Sequence, residues 1–133
     1  MEVCLETSAI IAILLSETEG LSLLSQVVKC SNAHTPASCA LEAIIVLVRK
    51  QKMTTAHAEE LVFGLLTDFD VKITYFDKAA LGFAIRGYEA YGKGRGLYPA
   101  LLNFGDCLSY GTAKAASGEL LYTGDDFAGT DLG

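Results

Sequence analysis

Four short stretches of strand character alternate along the chain with segments whose apolar residues recur at helical spacing. Residues 1–5 (MEVCL), 33–35, 71–76 and 119–123 are the strand-like pieces. Between them lie AIIAILL, GLSLLSQVVK, ASCALEAIIVLVRK, an Ala/Glu/Leu-rich run from about 54 to 66, and helical patterns at 77–91 and 103–117. Strand–helix alternation of this kind builds a parallel sheet, because each parallel return needs a crossover, and the crossover helices cover both faces. MEVCL is apolar on both sides of the pleat, as a strand sandwiched between helices must be. The expected fold is therefore α/β: a three-layer α/β/α sandwich around a short parallel sheet. A chain of 133 residues has room for one such domain, so residues 1–133 are expected to form a single unit.

Local signals set the expected boundaries. Thr7 or Ser8 is suited to cap the first helix, Pro36 to open the third from its first position, and Asp77 to cap the helix that follows the third strand. The stretch 91–96, YGKGRG, is a loop in which glycine frees the backbone. Half the chain is hydrophobic (51%), which excludes disorder. The longest uncharged run near the start, residues 7–16, is too short to span a bilayer. Glu2 and Glu6 interrupt the opening and no basic n-region precedes it, so a cytoplasmic protein is expected. Cys4, Cys30, Cys39 and Cys107 show no C-x-x-C spacing and read as four buried thiols in a reducing compartment.

Sites in such sheets gather beyond the carboxyl ends of the strands. Glu6 follows the first strand and Asp125-Asp126 follows the last, while Asp106 lies in the first turn of a helix, where a carboxylate suits the positive end of the dipole. Glu42 lies inside an apolar helical stretch; either it sits on that helix's solvent face or it is a buried carboxylate that needs a partner or a cation. Taken together these acids make an oxygen-only cluster without histidine or thiolate, which suits Mg²⁺ or Mn²⁺. Such ions do phosphodiester chemistry without a side-chain nucleophile. The chain is acidic, with 16 acids against 10 bases and a net charge of −6, so it is no general nucleic-acid coater. Lys93 and Arg95 in the glycine loop, with Arg86 and Lys114 nearby, offer at most a local phosphate rim; each read singly is ordinary solubilising charge. Arg49, Lys50 and Lys52 read as partners of a helix C-terminus. His34 and His57 are isolated. No P-loop or G-x-G-x-x-G is present.

These segments resemble a known family. VCLETSAIIAILL is similar to the strand, Asp-Thr-Ser-Ala and apolar-helix opening of PIN-domain ribonucleases. SCALEAIIVL, LNFGDCLSYGTAKA and LLYTGDDFAGTDL resemble their later motifs, in order and over essentially the whole chain. YGKGR and NFGDCLSYGTAKA look most like VapC-type toxins of bacterial type II toxin–antitoxin pairs. The resemblance implies Mg²⁺- or Mn²⁺-dependent RNA cleavage, a homodimer, and neutralisation by a cognate antitoxin. It implies that Glu6, Glu42 and Asp106 are metal-site acids, with Asp126 the fourth and Asp125 its competitor. Thr7 or Ser8 would hydrogen-bond a water or phosphate, and Asn103 would orient the site. One departure stands out: the family's first motif carries Asp where this chain has Glu6. A longer arm keeps the charge but moves it, which leaves open a catalytically weakened module that works mainly through partner binding.

Overall fold

The computed structural model describes residues 2–95 and 101–133. Its element order is β1 (Glu2–Leu5), α1 (Thr7–Leu14), α2 (Gly20–Lys29), β2 (Asn32–Pro36), α3 (Ala37–Gln51), α4 (Thr55–Asp68), β3 (Val71–Thr74), α5 (Lys78–Tyr91), α6 (Phe104–Ala115) and β4 (Glu119–Leu121). The four strands form one sheet in the order β3-β2-β1-β4, and every neighbouring pair is parallel.

The pleat sorts the core into two halves. Val3, Leu5, Ala33, Val71 and Leu121 pack with α1 to α4 on one face, around Ile10, Leu47, Val62 and Leu66. Cys4 and Leu120 point to the other face and meet Leu102, Tyr110, Ala113 and Phe127. That second layer rests on α5 and α6, which share the most extensive helix–helix contact in the fold. Close approach is possible there because the facing positions are small. A Cβ on Gly111 would lie 2.4 Å from the Ala80 carbonyl, and one on Gly87 would lie 2.4 Å from the Tyr110 ring. The three-layer α/β/α architecture is thus the one the alternation dictates. Each buried Leu or Ile contributes about 1.5–3 kcal/mol to holding the layers together.

Several local expectations are corrected. Glu6, not Thr7 or Ser8, caps α1: its side chain accepts from the Ser8 N–H. Pro36 ends β2 and occupies the cap of α3 rather than its first turn. β3 ends at Thr74 instead of running to residue 76, and Tyr75 is largely exposed. β4 ends at Leu121 instead of running to residue 123, and the Thr123 N–H donates to the Ser8 hydroxyl at the start of α1. Cys4 and Cys39 are buried, but Cys30 and Cys107 are only half-buried, and none of the four forms a disulfide. His34 sits inside β2 and is buried, while His57 is exposed in the first turn of α4. Asp77 does cap α5 by accepting from the Ala80 N–H. Of the expected glycine loop, Gly94 takes a positive φ of 83°, and Gly96 lies outside the described residues.

Candidate active site

The crossovers from β1 to β2 to β3 run one way across the sheet, and β4 then returns to the other side of β1. The strand order therefore switches between β1 and β4, and a crevice opens beyond their carboxyl ends. Glu6 is the first residue past β1. Its N–H donates to the Leu121 carbonyl (3.0 Å), which ties the corner to the end of β4. Its Oε1 accepts from the Ser8 N–H (2.9 Å) and from the Ser8 hydroxyl (2.5 Å). The Ser8 hydroxyl in turn accepts from the Thr123 N–H (2.8 Å). One serine thus joins the start of α1, the Glu6 carboxylate and the segment that carries Asp125 and Asp126.

Asp106 enters from α6 as half of a capping box. Its N–H donates to Asn103 Oδ1 (2.8 Å), and its Oδ2 accepts from the Asn103 N–H (3.1 Å). Glu42 reaches in from the second turn of α3, where its Oε1 accepts from the Thr7 hydroxyl (2.5 Å). The expectation that Glu42 might be buried is corrected. The buried side of α3 is Cys39, Ala40, Ala43 and Leu47, and the apolar neighbours Leu41 and Ile45 are themselves 59% and 43% exposed. Glu42 is exposed and opens onto a cleft.

That cleft has a volume of about 320 Å³. Glu6, Thr7, Ser8, Glu42, Asn103, Asp106 and Asp126 all line it, from four separate stretches of the sequence. Asp125 is exposed but is not among the residues lining it, so of the adjacent acids it is Asp126 that faces the cleft. Lys93 lines a neighbouring apolar groove that shares Asn103 with the cleft. Arg95 lies over the Tyr88 ring (5.3 Å), Arg86 pairs with Glu89, and Lys114 pairs with Asp131. Sequence reasoning missed three polar lining residues: Glu17, Lys50 and Thr123. Lys50 was legible, since Glu42, Val46 and Lys50 repeat every four residues and share a helix stripe. Glu17 follows α1 in a turn entered through Ser16 at a φ of 52°, and no motif marks it.

The acids feel one another. Burial pushes the Glu6 carboxyl up; the Ser8 hydrogen bonds oppose this, and the Asp106 and Glu42 charges add to it. Asp106 is pushed up to about 6, first by burial, then by the charges of Asp126 and Glu42, against the pull of the Asn103 N–H. Such a cluster calls for positive charge. As the side chains stand, no three His, Cys, Asp or Glu among the described residues are gathered tightly enough to cage an ion. The donors are carboxylates on an open cleft, and Glu6 Oε2 accepts no hydrogen bond from the described residues. That set fits a hard cation that keeps much of its water shell and takes only one or two carboxylates directly, as Mg²⁺ does.

Comparison with known proteins bears on this arrangement. The PIN domain family profile matches residues 3–131, so the chain belongs to the PIN-domain family. Its relatives within it include proteins named VapC ribonucleases. It is 32% identical over 127 residues to Ribonuclease VapC42 of Mycobacterium tuberculosis, covering 96% of this chain and 94% of that protein. It is 35% identical over 127 residues to Ribonuclease VapC28 of the same organism, covering 96% and 92%. Among solved structures, the fold is similar to that of M. tuberculosis VapC20, a sarcin-ricin loop cleaving toxin, with a TM-score of 0.67 over 95% of this chain and 92% of that one. Their sequences are 11% identical, so that likeness speaks for the fold.

Proposed function

We propose that this chain is a metal-dependent endoribonuclease toxin in which Glu6, Glu42, Asp106 and Asp126 hold Mg²⁺ or Mn²⁺ against an RNA phosphate. The observation that carries this reading is the convergence of those four acids on one cleft at the switch point of a PIN-domain sheet. Its relatives' ribonuclease names support the choice of RNA. A bound Mg²⁺ or Mn²⁺ supplies Lewis-acid stabilisation of phosphate charge and acidifies water. The residues of the chain do the rest. Ser8 fixes one oxygen of Glu6 and leaves the other for the cleft. Thr7 is a positioning residue that holds Glu42. The Asn103 capping box sets the Asp106 carboxylate and the angle at which α6 presents it. The longer arm of Glu6 is accommodated by this Ser8 anchor, so the departure from Asp is compatible with an active site.

The same reading makes a second copy of the chain and a cognate antitoxin its protein partners. Phe76, Leu81, Ile85, Tyr88, Phe104 and Leu108 line a groove of about 680 Å³ beside the cleft, and Phe104 is 81% exposed. An apolar surface of that kind supports protein contact. No helix among the described residues is long and apolar enough to cross a membrane.

The test is cleavage of a mixed single-stranded RNA with Mg²⁺ or Mn²⁺, with EDTA as control. The expected result is metal-dependent cleavage that falls by about 100-fold or more in Glu42→Gln. Cleavage that survives EDTA, or that Glu42→Gln leaves unchanged, overturns the assignment.

A further inference from the structure

We propose that Lys50 is a phosphate-binding residue for the RNA strand entering the cleft, and so sets how the substrate lies across the carboxylates; this rests on the nuclease reading above. Five carboxylates line the cleft: Glu6, Glu17, Glu42, Asp106 and Asp126. Lys50 is the one basic residue among the described residues that line it. An RNA strand is a row of negative charges, and a cleft this acidic on a chain of net charge −6 repels it away from any bound cation. A cation on the wall is what draws the strand in.

Lys50 is placed and free to do so. It lies two turns along α3 from Glu42, on the stripe through Val46, which puts its Cα about 12 Å from that of Glu42. That separation is a few phosphates along a strand rather than the scissile one. Its ammonium pairs with no carboxylate among the described residues, whereas Lys72, Arg86 and Lys114 are committed to Asp70, Glu89 and Asp131. The dull alternative is that Lys50 only complements the negative end of the α3 dipole. Arg49 separates the two, because it also sits in the last turn of α3 but does not line the cleft.

The experiment measures the Kd of a labelled single-stranded RNA by fluorescence anisotropy at several salt concentrations, with Ca²⁺ in place of Mg²⁺ to hold cleavage. Lys50→Gln should weaken binding about 5-fold at low salt, equally for unrelated sequences. It should also make the slope of log Kd against log salt shallower by about 0.7, the value of one phosphate contact on a single strand. Lys50→Arg should restore the slope, and Arg49→Gln should leave it as in the wild type. An unchanged slope in Lys50→Gln, an equal change in Arg49→Gln, or no RNA binding by the wild type each overturns the assignment. Wild-type cleavage in Mg²⁺, measured in parallel, tells failure of this inference from failure of the nuclease reading.

Discussion

Replacing Asp106 by Asn should stabilise the protein when no metal is present. The Asp106 carboxyl is held at about 6 against an ordinary value of 3.8. At about 1.4 kcal/mol for each tenfold in acidity, ionising it in the fold costs about 3 kcal/mol. The carboxylate opens onto a solvent-accessible cleft, and screening there reduces the effect to about 1–2 kcal/mol. Asparagine is nearly isosteric and its Oδ1 can still accept from the Asn103 N–H, so the capping box survives and only the charge is lost. The sign follows from linkage. A carboxyl raised in the fold stabilises fully below its unfolded value, and that stability is lost as pH rises through the folded value. Asp106→Asn should therefore melt about 4–8 °C above the wild type at pH 8 in EDTA. The gap should shrink between pH 6 and pH 4 and be largely gone at the acid end. Saturating Mg²⁺ should reverse the order, since a ligand at 100 times its Kd adds about 2.7 kcal/mol to the chain that binds it. Scanning fluorimetry over pH 4–8, with and without metal, reads all of this. An Asp106→Asn variant no more stable than the wild type at pH 8 in EDTA would refute the idea that burial, with the charges of Asp126 and Glu42, makes the ionised Asp106 costly to the fold.

Gly111→Ala should destabilise the fold by about 1–3 kcal/mol, because the added Cβ would meet the Ala80 carbonyl and the Ala84 side chain where α5 crosses α6; Gly64→Ala and Gly82→Ala, which meet nothing within 4 Å inside α4 and α5, should instead stabilise by about 0.5–1 kcal/mol in denaturant titrations. His34 is buried, its Nδ1 lies 3.1 Å from the Thr74 hydroxyl and its Nε2 has no partner among the described residues, and burial holds its pKa down against the opposing charge of Glu2. Its neutral form supports the fold above about pH 6.5, and that support should fade as pH falls below it, a limb of the wild-type stability curve that His34→Gln should flatten.

The layer order was legible because it rests on period. MEVCL is apolar on both faces and strand–helix alternation forces parallel crossovers, so the sandwich follows without any tertiary knowledge. Element ends were less legible, since they depend on partners distant in sequence. β3 stops at Thr74 because β2 ends opposite it at Pro36, and nothing in residues 75–76 announces that. The cap of α1 is hard to read for the same reason. Ser8 is a good capping residue in isolation, but its hydroxyl is engaged by the Thr123 N–H across the sheet, and Glu6 takes the role.

The site shows the same division in a sharper form. Glu6, Asp106 and the Asp125-Asp126 pair are legible from position alone, because strand ends and helix starts are where an α/β sheet exposes its chain, whereas which of the two adjacent acids lines the cleft is not. Glu42 is less legible, because the sequence leaves both a solvent-face and a buried position open for it. It is conspicuous as a carboxylate among apolar residues, yet two of those neighbours are substantially exposed and the carboxylate faces an open cleft. Its real constraint is the hydroxyl of Thr7, a residue 35 positions away. The cleft thus turns on hydroxyl contacts between motifs: Thr7 sets Glu42, and Ser8 sets Glu6 and the approach of Asp126. Two adjacent residues at one strand end hold the acid beside them and bear on two that arrive from elsewhere in the chain, Glu42 from α3 and Asp126 from the segment after β4. Preorganisation of Glu6 and Glu42 therefore depends on the β1–α1 corner as that of Asp106 depends on the Asn103 capping box, and small side chains at that corner should matter to the chemistry as much as the acids they hold.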